Sequence, residues 1–128
     1  MDSDALQVVK NDRFARLIGA EIIKAEPGYA LVEMKITDNH MNGLNMVQGG
    51  AIFTLADYAF AVASNNSGNI TIGVNANISY LKSPTGSRLT AEAREIYSGR
   101  KISHYIAEVY DENGELAAMV KTTGYRKK

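Results

Sequence analysis

The stretch Gly49-Gly50-Ala51-Ile52-Phe53-Thr54-Leu55-Ala56-Asp57-Tyr58-Ala59-Phe60-Ala61-Val62-Ala63 decides the fold of this 128-residue chain. It is rich in alanine and holds no proline or glycine after Gly50, which favours a helix. It is apolar on nearly every side, which predicts a helix over 49–65 buried on most of its faces. Asn65, Asn66 and Gly68 end it. The apolar part, 51–63, is thirteen residues long and carries Asp57, too short and too polar to span a membrane.

Two features of this helix point to chemistry. A lone carboxylate in so apolar a helix is costly to bury as a charge. Asp57 must therefore be paired, face a cleft or solvent, or be held at a perturbed pKa for a purpose. At the other end, Gly49 and Gly50 leave the first backbone N–H groups bare where the helix dipole is positive. Such an end can hold an anion or a developing oxyanion, or it can be simply a tight loop-to-helix turn. Asp57 lies eight residues beyond Gly49, about 12 Å along a helix, so one small reacting group cannot touch both within one chain. Two antiparallel helices facing each other across a dimer axis could bring one chain's Gly49 to the other's Asp57.

Outward from this helix the pattern is strands. Before it, 22–25 and 29–36 read as a strand pair broken by Pro27-Gly28, and 37–46 reads as a loop. After it, Val74, Ala76, Ile78 and Tyr80 alternate with polar residues. So do Leu89, Ala91 and Ala93, then Tyr105, Ala107 and Val109, then Leu116, Ala118 and Val120. Turn signals at Pro84-Thr85-Gly86, Ser98-Gly99 and Asp111-Glu112-Asn113-Gly114 join these strands closely, which makes them antiparallel. A first helix is expected over 4–18, N-capped by Ser3 or Asp4 and closed at Gly19, with Leu6, Val9, Phe14, Leu17 and Ile18 as its apolar stripe. The fold class is α+β: one antiparallel sheet curled around a buried central helix, with 1–128 as a single domain. Its exposed sheet edge calls for a second copy.

Composition excludes several functions. The chain has no cysteine, which removes disulfides, thiolate zinc sites and a cysteine nucleophile. Fourteen basic and fourteen acidic residues cancel, so no basic footprint for nucleic acid exists at the level of totals. The two histidines, His40 and His104, lie far apart, and no metal site is expected from them. His40 is expected to be a solvated loop residue, and His104 is given no role. The acidic opening Met1-Asp2-Ser3-Asp4 is the reverse of a signal peptide. A cytoplasmic protein without membrane contact is expected.

The stretch Asn42-Gly43-Leu44-Asn45-Met46-Val47-Gln48-Gly49-Gly50, followed by Leu55-Ala56-Asp57, resembles the signature of the hotdog-fold thioesterases of the phenylacetate-pathway (PaaI) type. Members carry an asparagine, His-Gly-Gly six residues later, and Leu-Ala-Asp on the central helix. Ile78-Ser79-Tyr80-Leu81-Lys82-Ser83-Pro84, the Gly99-Arg100 turn and the segment 14–19 are also similar to the family. The resemblance covers most of the chain from about residue 14.

That resemblance implies hydrolysis of an acyl-coenzyme A thioester, with no cofactor beyond the coenzyme A of the substrate. Gly49 and Asn42 would polarise the thioester carbonyl, and Asp57 of the neighbouring subunit would activate water or attack as nucleophile. Gln48 stands where the family has histidine. It keeps an amide donor and an acceptor but cannot titrate. Arg100 in the Gly99 turn would meet coenzyme A phosphates, with Lys101 and Lys82 adding charge, and Tyr80 would line the pantetheine or acyl channel. Met46, Phe53, Tyr58 and Phe60 are candidates for an aromatic or medium-chain acyl pocket. Family members are dimers, usually paired into tetramers. The alternative is a non-catalytic hotdog protein that binds an acyl thioester, favoured by Gln48. A hotdog dehydratase would need a helix histidine that this chain lacks.

Overall fold

The computed structural model describes residues 4–127. In chain order these form α1 (Asp4–Lys10), α2 (Arg13–Ile18), β1 (Ala20–Glu26), β2 (Tyr29–Lys35), a 3-10 turn (Asp38–His40), α3 (Gly49–Ser64), β3 (Thr71–Tyr80), β4 (Arg88–Ser98), β5 (Ile102–Asp111) and β6 (Leu116–Arg126). The strands make one antiparallel sheet in the order β1-β2-β4-β5-β6-β3. Helix α3 packs along one face of it. This is the expected fold class, a sheet curled around a central helix.

Small side chains let that helix lie close. The sheet's inner face presents Ala30, Ala91, Ala93, Ala107 and Ala118, all buried, and α3 answers with Ala56, Ala59 and Ala63. Register keeps them together: Ala30 opposes Ala93, and Ala93 opposes Ala107. Val32, Met34, Leu55, Val62, Leu89, Val109 and Val120 fill the space between, each almost wholly buried. Beyond α3, Asn65 ties the helix end to β3. Its amide donates to Ala61 O (2.8 Å) and Thr71 O (3.1 Å), and its oxygen accepts from Thr71 N–H (2.8 Å).

The single helix expected over 4–18 is two. The chain breaks at Asn11-Asp12, where Asp12 Oδ1 accepts from Ala15 N–H (2.9 Å) and starts α2 afresh. An internal side-chain cap can compete with helix continuation at such a residue. The break turns the expected stripe: Leu6 and Ala15 are buried, while Phe14 and Leu17 point outward. The Ser3 cap lies outside the described residues. Gly19 closes α2 with φ 84°, as its position predicts.

The two sheet edges differ. β1 carries Glu21, Lys24 and Glu26 and has a register shift between Ile22 and Lys24, devices that discourage edge pairing. β3 spans ten residues without a charge, is exposed over most of its length, and shows Ile72 and Val74 to solvent. It is the open edge of the sheet.

Leu55 is wholly buried at the centre of α3. Leu55→Ala should cost about 2–5 kcal/mol of stability. Denaturant unfolding should show a lower midpoint with an unchanged slope.

Candidate active site

The site begins in the loop before α3. Asn42 shapes it: its side-chain Oδ1 accepts from Leu44 N–H (2.8 Å) and Met46 N–H (3.1 Å), and its own N–H donates to Met46 O (2.8 Å). Asn45 takes φ 60°, a conformation asparagine tolerates better than most residues. The carbonyl oxygen of Asn42 is therefore committed to the loop. Its side-chain NH₂ has no acceptor among the described residues.

Gln48 is the N-cap of α3. Its side-chain oxygen accepts from Gly50 N–H, and its backbone carbonyl accepts from Ala51 N–H (2.9 Å) and Ile52 N–H (3.3 Å). Of the first four N–H groups of the helix, only that of Gly49 has no acceptor among the described residues. Of the donors that a helix start leaves bare, one remains here among the described residues.

That donor borders a cleft of about 480 Å³. Met46, Gln48 and Gly49 form one wall, and Tyr80, Lys82 and Pro84 the other. Tyr80 donates its hydroxyl to Gly49 O at 3.0 Å. A side chain at position 49 would place its Cβ 2.9 Å from that hydroxyl oxygen and so would displace the Tyr80 ring from this contact. Lys82 at the rim is already paired, 3.3 Å from Asp111 and in contact with Glu115. Asp111 also accepts from Thr85 and from the N–H groups of Asn113 and Glu115, which holds its carboxyl well below the usual carboxylate range.

Asp57 stands elsewhere. It lies exposed in a second concavity of about 340 Å³, with Val9, Phe60, Ile70 and Ile72 around it. It has no hydrogen bond or ion pair among the described residues. Although it reaches solvent, partial desolvation by the surrounding protein pushes its carboxyl above the usual range, and the Asp12 carboxylate pushes it further. Gly49 and Asp57 thus belong to different concavities of one chain, as the helical spacing predicts.

Arg100 and Lys101 occupy a third concavity, also about 340 Å³, with Asn69, Arg126 and Lys127. The sequence did not single out Arg126. It donates to Gly99 O and Ser98 Oγ (2.6 Å) and lies 3.5 Å from Glu95, so it braces the turn that carries Arg100. The basic residues Arg126 and Lys127 were visible in the sequence, but the pairing of Ile102 with Tyr125 that brings them here was not. Lys101 lies over the ring of Tyr125 at 5.7 Å.

Of the acyl-pocket candidates, Met46 lines the first cleft and Phe60 the Asp57 concavity, while Tyr58 is buried in the core. His40 is not the solvated residue expected. It is 6 % exposed and both its ring nitrogens are hydrogen-bonded. Its environment comes from α2, which a local reading of the loop does not reveal. Among the described residues no group of three or more His, Asp and Glu is placed to hold a metal ion.

Comparison with known proteins agrees with this architecture. Residues 44–118 match the profile of the thioesterase superfamily, a span that runs from the cleft loop through α3 to β6. The chain is 42 % identical over 118 residues to a candidate esterase of Archaeoglobus fulgidus, covering 91 % of this chain and 77 % of that protein. It is 31 % identical over 124 residues to the acyl-coenzyme A thioesterase PaaI of Escherichia coli, covering 96 % of this chain and 89 % of that one. The solved structure of the E. coli PaaI protein superposes with a TM-score of 0.92 at 29 % identity, covering 98 % of this chain and 91 % of that chain. The six-stranded sheet wrapped on a long helix is thus shared over nearly the full length, and the chain belongs to the thioesterase superfamily as a PaaI-type hotdog thioester hydrolase.

Proposed function

We propose that this enzyme hydrolyses the thioester of an aromatic or medium-chain acyl-coenzyme A, at a site shared between two copies of the chain. The observation that carries the proposal is the separation of two uncommitted groups: the Gly49 N–H in one concavity and the Asp57 carboxyl in another. The uncharged, exposed edge β3 supplies a surface on which a second copy can pair and bring one chain's Gly49 to the other's Asp57. That E. coli PaaI is an acyl-coenzyme A thioesterase supports the substrate class.

In this reading the thioester carbonyl oxygen accepts from Gly49 N–H, with the side-chain NH₂ of Asn42 and of Gln48 as further donors. Donors already aimed at the developing oxyanion stabilise the tetrahedral intermediate without reorganising. Asp57 of the second copy takes a proton from water as the water oxygen bonds to the carbonyl carbon. The intermediate then collapses, the carbon–sulfur bond breaks, and the thiolate leaves with a proton. A carboxylate raised toward the working pH is a better general base than an ordinary one. Arg100, with Lys101 and its new neighbours Arg126 and Lys127, would hold the phosphates. Lys82, neutralised by Asp111 and Glu115, would act at the rim beside Tyr80. No cofactor enters this scheme. Among the described residues no helix is long and apolar enough to cross a membrane. The proposal extends to a cytoplasmic setting and to dimers paired as tetramers.

Asp57→Asn should lower turnover by about 10²–10⁴-fold, the usual loss for a general base. It should not lower stability at neutral pH. A carboxyl whose folded pKa is raised is a burden once ionised, and the amide removes that charge. Thermal unfolding at pH 7 should therefore show an equal or higher midpoint for the variant.

Asp57 must be ionised to act as base, so the rate should fall as pH drops through its raised pKa. Desolvation raises it most and the Asp12 charge adds to this, so Asp12→Asn should move the acid limb of the pH–rate profile to lower pH. An unmoved limb would assign that limb to another group.

The shared site has its own test. Asn42→Ala damages the cleft of its own chain, and Asp57→Asn disables the base. Unfolded and refolded together, with heterodimers verified by mass, the two variants should regain activity approaching half of wild type. One composite site would then carry both lesions and the other neither. Sites confined to single chains would regain nothing.

A further inference from the structure

The 3-10 turn Asp38–His40 sits between the end of α2 and the start of α3, and His40 faces into the protein. Its ring is fixed at both nitrogens. Thr37 N–H donates to Nδ1 at 2.9 Å, and Nε2 lies 2.8 Å from the carbonyl oxygen of Ile18, the last residue of α2. A backbone N–H only donates and a carbonyl only accepts. The two partners therefore select one tautomer: the proton on Nε2 and the lone pair on Nδ1.

The backbone of the same residue reaches the cleft. His40 O accepts from Gln48 N–H at 2.8 Å, and Met41 pairs with Val47 as an isolated antiparallel bridge. Gln48 is the residue whose next peptide N–H is that of Gly49. The ring thus anchors a turn to α2, and the carbonyl of that turn fixes the peptide leading into the bare donor. Nothing else from α2 is hydrogen-bonded to this loop among the described residues. The N-terminal helix pair otherwise takes no part in the cleft, whose lining begins at Met46.

From this chain of contacts we propose that His40 is a positioning residue: its doubly bonded ring locks the loop 37–48 to α2 and so holds the Gly49 N–H in line with the substrate carbonyl. The inference rests on the role given above to Gly49 as oxyanion donor. His40 touches no substrate in this scheme and acts through Gln48. A small misplacement of a catalytic donor can cost about 10²-fold, so loss of the anchor should appear in turnover.

Three variants test it: His40→Ala, His40→Asn, which can still accept from Thr37 N–H, and His40→Gln, which can still donate toward Ile18 O. Each is measured in two ways, by steady-state hydrolysis of an acyl-CoA well below the melting temperature and by amide hydrogen exchange at Gln48. His40→Ala should lower kcat by ten- to a hundredfold with KM within about twofold, and should speed exchange of the Gln48 amide. Asn and Gln should each recover part of both losses. If His40→Ala does not fold, the Asn and Gln variants carry the comparison against wild type, each with a smaller kcat loss and faster Gln48 exchange. Unchanged kcat and unchanged Gln48 exchange in folded variants would overturn the proposal. A loss that only tracks the fraction unfolded would also overturn it, by making His40 merely structural. If exchange responds as expected but the wild-type protein cleaves no acyl-CoA, the fault lies in the functional reading and not in the anchor.

Discussion

The close contact of α3 with an alanine floor constrains everything else in this molecule. Ala56, Ala59 and Ala63 on the helix meet Ala30, Ala91, Ala93, Ala107 and Ala118 on the sheet, so the helix sinks into a wrapped sheet instead of lying upon it. A larger side chain at any of these positions would push the two layers apart. Because the helix is held this deeply, few of its groups can leave the core. Gly49 emerges at the start, where the wrap is open. Asp57 emerges on the flank beside the uncovered edge β3. Both are polar groups that the packing does not enclose.

Much of this was legible in the sequence, because it depends on local pattern. Alternation located the strands, turn dipeptides separated them, and unbroken apolarity marked the helix that the sheet must enclose. The spacing of Gly49 and Asp57 already placed them too far apart for one carbonyl. What was not legible depends on partners distant in the chain. The Asp12 cap divides a helix that apolar spacing alone would continue. His40 looks like any polar loop residue until Ile18 is brought against it. Arg126 looks like part of a basic tail until β6 pairs with β5 and aims it at the Gly99 turn. Lys82 reads as a free cation, and only the fold of the Asp111 hairpin shows that two carboxylates answer it.

Gln48 shows how the same question changes when geometry replaces pattern. In the sequence it is an absence, a glutamine where relatives of this type have histidine, and it favours a protein that binds without catalysis. In the structure it performs a defined task. Its side-chain oxygen caps Gly50 N–H and its backbone carbonyl takes the next two N–H groups, so a single residue answers three of the four donors at the helix start. That task needs a hydrogen-bond acceptor and no titration, which a carboxamide supplies as well as a neutral imidazole. Membership of a hydrolase family then weighs for the enzyme.

The remaining bare donor and the unpaired carboxyl are both unfavourable for a folded chain on its own. An N–H without a partner forgoes a hydrogen bond, and a carboxyl crowded by Phe60, Ile70 and Ile72 resists ionisation. Neither cost is relieved within the chain, because the helix holds the two groups about 12 Å apart and rigidly so. A substrate carbonyl between two copies would relieve the first cost, and the positive charge that develops on the attacking water as it bonds to the carbonyl carbon would favour the ionised form of the second. The features that make the isolated fold incomplete are therefore the ones that would make a paired assembly reactive. Their placement at the two openings of one buried helix ties the chemistry directly to the packing that creates those openings.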